Sequence, residues 1–460
     1  MQHASKKKDN KVTKIVLAIL FICIIAGIFY FFMRPTNDSK IKENTKEVAG
    51  QLIDVQDTKF IIRHDNAKQY VFSREAIEVD QEKFIVGNSV TITYTGSLVE
   101  SSTDFQKVEI KKITITEVVK NSNNEVGHDD VMAAMLKEMT LEQKVAQMFM
   151  VRVPEIKPVE LIRDYQFGGY ILFGEDFKGK TKATVQENIN AYQKQAKIPL
   201  LIGTDEEGGT VNRVSRYFRS TPFASPQQVF NAGGFDAIVA NTTEKSEFLQ
   251  DFGINVNFAP VADVSTNPAD FIYDRTFGQD AKETSKYVTK VVEAMKQANQ
   301  GSVLKHFPGY GNNVDTHTGV AHDNRDMQTF ENTDFLPFKS GIDAGANCVL
   351  VSHNVVACMD ANNPSSLSLN VHQIVRDKLG FKGVIMTDDL AMNGATEFGT
   401  SEEIGIKAVQ AGNDMLLSSD AVVQSKAIVQ AVKDGKISEN QIDQSVLRIL
   451  TWKKDLGLLK

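Results

Sequence analysis

The sequence predicts a single large α/β domain of the (β/α)8, TIM-barrel type, preceded by a transmembrane helix and a small all-β domain. Three observations predict the barrel. The first is a rhythm: from about residue 131 to 460, short apolar runs ending in polar or glycine residues alternate with segments of helical period. The second is the number of runs, which is eight: Gln147–Val153, Gly169–Phe173, Leu200–Asp205, Val256–Asp263, Val303–His306, Cys348–His353, Val384–Asp388 and Met415–Ser419. The third is what closes them. Asp205, Asp263, Lys305, His306, His353 and Asp388 fall at run ends, and in a closed barrel of parallel strands those ends share one mouth. An open doubly wound sheet gives the same local pattern but strings the polar residues along an edge. The barrel is the better explanation, and its mouth is the default active site.

Taken in order, residues 1–14 are a lysine-rich tail, with Lys6, Lys7, Lys8, Lys11 and Lys14, and Ile15–Met33 follow without a charge. As a helix this run spans roughly 28 Å, close to the thickness of the hydrocarbon core. A cleaved signal peptide fits less well, because its apolar region is shorter and a small-residue cleavage site should follow. The lysines before the span place the N-terminus in the cytoplasm and the remainder outside the cell membrane. Residues 34–47 are polar and aperiodic, a tether. Over 48–119, β-branched and aromatic residues alternate with polar ones, giving strands at Gly50–Val55, Lys59–His64, Gln69–Ser73, Ser89–Tyr94 and Val108–Glu117. A small barrel of the oligonucleotide/oligosaccharide-binding type is expected there, serving as a spacer because no aromatic platform is evident. Residues 120–130 form a second linker before the 131–460 domain, in which Glu283–Gln300 and Ser401–Ala411 carry helical spacing and caps.

Composition excludes several functions. With 460 residues, 42% hydrophobic and 24% charged, the chain buries a large core. A formal net charge of -7 argues against a nucleic-acid partner, which needs a basic face. Cys23, Cys348 and Cys358 lack the spacing of a metal site or disulfide framework and read as small apolar fillers, so no metal is expected.

The chemistry concentrates in loops. Residues 301–320, GSVLKHFPGYGNNVDTHTGV, are a strand that delivers Lys305 and His306 into a Gly-rich loop carrying Asp315 and His317. Two residues apart in extended chain, Asp315 and His317 point the same way, and a carboxylate fixes an imidazole's tautomer and raises its basicity. The triplet alone is more often a turn hydrogen bond than a catalytic pair. Asp388 ends the seventh run, where it can attack or stabilise a charge, while its neighbour Asp389 is the better candidate for capping the next helix. Asp205 and Arg213 in TDEEGGTVNR, Arg275 in YDRTFG, and Lys305 with His306 suit sugar hydroxyls, or alternatively form ion pairs beneath the site.

Together KHFPGYG with its downstream Asp-x-His, TDEEGGTVNR, YDRTFG and IVRDKLGFKGVIMTD resemble the family-three glycoside hydrolases, and within them the single-domain β-N-acetylglucosaminidases (β-hexosaminidases). The resemblance covers roughly residues 130–460. It implies a retaining exo-β-N-acetylglucosaminidase that releases terminal sugars from wall-derived oligosaccharides or muropeptides without a cofactor. Asp388 would be the nucleophile, His317 the acid/base oriented by Asp315, and Asp205, Arg213, Arg275, Lys305 and His306 the sugar-binding set. Tyr310 departs from the family's usual KHFPGHG, and Thr210 stands where an Arg is common. A β-N-acetylglucosaminide phosphorylase, a β-glucosidase of the same fold, and an inactive wall-binding protein are the alternatives.

Overall fold

In the computed structural model the sequence folds as two compact units that divide after Lys120. The structure describes residues 45–55, 59–64, 68–74, 84, 89–99, 106–117, 129–314, 316 and 319–459. Among them no helix is long and apolar enough to cross a membrane. The span expected at 15–33 lies outside the described residues.

The first unit is a five-stranded antiparallel sheet built from Lys46–Val55, Lys59–Arg63, Gln69–Ser73, Ser89–Thr95 and Glu109–Glu117. All five expected strands are present. Alternation buries Leu52, Phe60, Ile62, Phe72, Val90 and Ile92, and Phe60 stacks on Phe72 with ring centroids 5.3 Å apart. The expected barrel closure is not seen. Gln69–Ser73 and Glu109–Glu117 are the two edges of the ladder, and the chain ahead of the latter reaches the former through one bond, Gln106 N–H to Val71 O at 2.7 Å. The described residues therefore form an open sheet.

The second unit is a closed parallel barrel of eight strands: β1 (Phe149–Arg152), β2 (Gly169–Leu172), β3 (Leu201–Thr204), β4 (Val256–Asn257), β5 (Gly301–Phe307), β6 (Cys348–Val351), β7 (Val384–Thr387) and β8 (Leu416–Ser418). Each pairs with the next in sequence order. Strand β8 then pairs with β1, Leu416 opposite Phe149, and touches β7 through the Met386–Met415 bridge and the bond from Thr387 N–H to Met415 O. That last contact separates a barrel from an open sheet.

The strands are apolar on both faces because both are covered. GYIL, CVLV and VIMT are buried throughout. Gly169 lets β2 and β3 approach, since a Cβ there would lie 2.5 Å from Leu201 O. The covering helices begin where capping chemistry says they should. Asp280 accepts from Glu283 N–H at 2.9 Å ahead of Ala281–Gln297, and Thr400 with Glu403 forms a capping box ahead of Ser401–Ala411. Cys348 is buried as expected, but Cys358 is exposed: it sits beyond β6 in a surface turn, outside the apolar run.

Candidate active site

Every barrel strand ends in the same direction, so the residues just past β3, β4, β5, β6 and β7 collect at one mouth. Asp205, Glu206 and Glu207 follow β3 and are turned inward by a tight hairpin, Glu206–Gly208 against Val211–Asn212. That turn needs glycine. Gly208 has φ +105°, and a Cβ on it would collide with Ala224 O. Glu206 closes the hairpin by accepting from the backbone N–H groups of Arg213 (2.9 Å) and Val214 (2.7 Å) and from the Ser215 hydroxyl. Burial pushes its carboxyl up, against these hydrogen bonds.

Glu207 is the centre of the floor. It accepts Arg275 in a bidentate pair, Nε at 3.0 Å and Nη2 at 2.8 Å, and lies 2.6 Å from Lys305 Nζ. Burial alone would raise its pKa, but the two cations outweigh burial and hold the carboxyl well below the usual range. Lys305 also donates to Asp205 at 2.7 Å. The Lys305–His306 peptide is cis. His306 Nδ1 faces Asp263 Oδ2 at 2.8 Å and its Nε2 faces Arg275 Nη2 at 3.0 Å. Both contacts are satisfied when Nδ1 carries the proton and Nε2 accepts. Asp263 further receives the backbone N–H groups of His306 (3.0 Å) and Tyr310 (2.7 Å).

Thus four of the five residues expected to bind sugar, Asp205, Arg275, Lys305 and His306, are joined in one network of ion pairs and hydrogen bonds, which is the alternative the sequence offered for them. Lys305 and Glu207 are sealed, at 3% and 2% side-chain exposure, whereas Asp205 and Arg275 keep 15% and 18%. The last two therefore keep an edge in contact with solvent. Arg213 is not in the network. Its guanidinium lies 5.7 Å from the Phe173 ring, on the β2 side of the mouth.

Asp388 follows β7 and is half-buried. Its N–H donates to Val351 O at 2.9 Å and its Oδ1 accepts from Asp389 N–H at 2.8 Å. Asp389 accepts from Ala391 N–H at 3.0 Å, holding the turn ahead of the short helix Asn393–Thr396. Asp389 does not cap the helix as expected: the cap is Met392, and Asp389 closes the turn just before it. Burial, then the charge of Asp388, push the Asp389 carboxyl up. His353, fully buried past β6, steadies the same turn from Nε2 to Asp389 O at 2.9 Å, with Nδ1 on Ser366 Oγ at 2.7 Å. Asp315 and His317 lie outside the described residues. Sequence reasoning named Asp263 and His353 only as strand ends and missed Glu207. The signal for Glu207 was the doubled acid in TDEEGG, whose second member meets Arg275 and Lys305. Among the described residues no group of three or more His, Cys, Asp or Glu side chains is placed to hold a metal ion.

A parallel (β/α)8 barrel with carboxylates, cations and imidazoles gathered at the C-terminal mouth is the arrangement of a TIM-barrel enzyme site. The family described as "Glycosyl hydrolase family 3 N terminal domain" matches residues 140–452, and the chain belongs to that family. It is an O-glycosyl hydrolase. The chain is 31% identical over 300 residues to a beta-hexosaminidase of Haemophilus influenzae, covering 62% of this chain and 81% of that one. It is 30% identical over 336 residues to beta-hexosaminidase A of Pseudoalteromonas piscicida, covering 66% of this chain and 55% of that one. A solved family-three beta-N-acetylglucosaminidase from Paenibacillus sp. superposes with a TM-score of 0.65 at 29% identity, covering 70% of this chain and 63% of that one. The chain thus spans less than two thirds of the latter two proteins.

Proposed function

We propose that the chain is a retaining exo-β-N-acetylglucosaminidase acting on terminal β-linked N-acetylglucosamine of wall-derived or similar oligosaccharides. The observation that carries the reading is Asp388, half-buried at the end of β7 and held there by backbone bonds to Val351 and Asp389. The names of the relatives support the sugar.

In this reading Asp388 attacks C1, the C1–O bond to the aglycone breaks, and the leaving oxygen takes a proton from His317, giving a glycosyl-Asp388 ester. Water, deprotonated by His317, then attacks C1 and frees Asp388. Asp315 orients His317. Asp205 and Arg275 bind hydroxyls at the cleft face of the floor, with Lys305 and His306 behind them and Arg213 from the β2 side. Ionic partners buried behind these groups keep them from collapsing onto each other when substrate leaves. The uncharged run Ile15–Met33 is the support for a membrane anchor with the enzyme outside.

The test is release of p-nitrophenol from its β-N-acetylglucosaminide, with and without phosphate, beside Asp388→Asn. Turnover that needs Asp388 and ignores phosphate is the expected result. A requirement for phosphate would make the chain a phosphorylase, and preference for the β-glucoside would change the sugar.

A further inference from the structure

The loop after β5 carries Asp315-Thr316-His317, and its middle residue is held from two sides. Thr316 is fully buried. Its hydroxyl lies 2.6 Å from the Tyr310 phenol oxygen, and its carbonyl accepts from Gly394 N–H at 3.3 Å. Tyr310 is itself fixed, 2% exposed. Its N–H donates to Asp263 Oδ1 at 2.7 Å, and its ring meets His306 and Phe271 edge-on at 5.1 and 5.6 Å. Gly394 belongs to the short helix just past Asp388. A Cβ at that position would lie 2.9 Å from the His353 Cβ and 3.3 Å from the Thr316 Cβ, so glycine is what lets this N–H come so close. One loop residue therefore ties the β5 floor to the turn that carries Asp388.

We propose that the Tyr310–Thr316 hydroxyl pair, closed by Gly394 N–H, is a latch that ties the loop after β5 to the turn that carries Asp388, with Tyr310 a positioning residue for proton transfer. The proposal rests on the assignment of His317 as acid/base. Tyr310 is also the position at which this chain departs from KHFPGHG, and a phenol carries its hydroxyl beyond the edge of an imidazole. Burial, and then the charge of Asp388, push the Tyr310 phenol up, so it keeps its proton near neutral pH. Misplacing a reacting group by about 1 Å costs on the order of 10²-fold in rate, which sets the scale of the latch's effect.

The test compares Tyr310→Phe, Thr316→Val and the conservative Thr316→Ser on kcat/KM for two β-N-acetylglucosaminides, 2,4-dinitrophenyl and unsubstituted phenyl. An activated leaving group departs without a proton, so only the phenyl substrate reads the latch. Tyr310→Phe and Thr316→Val should each lose about 10- to 100-fold on the phenyl glycoside and less than about threefold on the dinitrophenyl one. Thr316→Ser should stay near wild type, and the double variant should be no worse than the poorer single. Equal losses on both substrates, or losses that multiply, would overturn the latch. His317→Ala run alongside keeps the two claims apart. If it shows no leaving-group dependence, the acid/base assignment fails and the latch is judged by amide hydrogen exchange over residues 311–320. Exchange there should quicken about tenfold or more in Tyr310→Phe and Thr316→Val with the rest of the barrel unchanged, and unaltered exchange overturns the latch.

Discussion

The two ends of the barrel are both ionic, yet they are built differently. At the N-terminal end Asp414, just ahead of β8, is fully enclosed. It accepts from Arg376, from Arg448 at 2.9 Å, from the Ser445 hydroxyl at 2.9 Å and from Ile385 N–H at 2.8 Å, and Arg376 also donates to Gly383 O at 2.6 Å. Burial would raise the Asp414 carboxyl, but Arg376 and Arg448 overcome it and the pKa falls. Each oxygen is satisfied from within the protein, so nothing remains for a ligand. At the mouth, Glu207 is saturated in the same way, but Asp205 accepts from Lys305 and keeps an exposed edge, as does Arg275. A closed ionic cluster holds strands together. An open one, backed by a closed one, keeps polar edges turned to solvent, where the proposed substrate would meet them.

Asp388→Asn is the largest expected break in that comparison. In the proposed mechanism it removes the nucleophile without disturbing either cluster, so kcat should fall by at least about 10³-fold while the thermal midpoint stays put. Activity retained with unchanged unfolding would remove Asp388 from that role. At the other end Asp414→Asn leaves two arginines around a neutral amide. It should cost about 3–5 kcal/mol in denaturant unfolding, with kcat of the folded protein within about twofold of wild type. A large kcat effect would mean that the ends are coupled.

Glu207→Gln tests whether the mouth's closed part serves its open part. Losing one charge between Lys305 and Arg275 should raise KM about tenfold or more and lower stability by about 2–3 kcal/mol. An unchanged KM would reduce Glu207 to scaffolding.

The smallest effect on turnover is expected from Lys453, buried at the N-terminal end with Nζ 2.8 Å from Gln147 Oε1. Burial lowers its pKa from 10.5 to about 7. The unfolded chain therefore binds this proton between pH 7 and 10.5 while the folded one does not, so stability rises with pH across that window and the full penalty applies below it. Lys453→Met should flatten the slope of unfolding free energy against pH between about 7 and 10. An identical slope would show that the ammonium is not desolvated as its burial implies.

Much of this was legible in the sequence. The eight strands lie within a residue or two of the apolar runs, apart from the short β4, because a strand buried on both faces leaves an unbroken apolar signature. Asp205, Lys305, His306 and Asp388 were legible as polar residues closing such runs. What was not legible depends on three dimensions. Nothing in YDRTFG says that Arg275 pairs with Glu207, 68 residues earlier. Nor does alternation in the small β unit say whether its edges meet, since an open sheet and a closed barrel bury the same residues. The Tyr310–Thr316 pair spans only six residues but needs the loop's fold to be seen.

The most direct measurement of the central claim is peptide mapping by mass spectrometry after reaction with the 5-fluoro analogue of an N-acetylglucosaminyl fluoride, which slows hydrolysis of a glycosyl ester. The account predicts one added sugar mass, on the peptide containing Asp388 and lost in Asp388→Asn. A label that persists in that variant, or one that maps elsewhere, would contradict it.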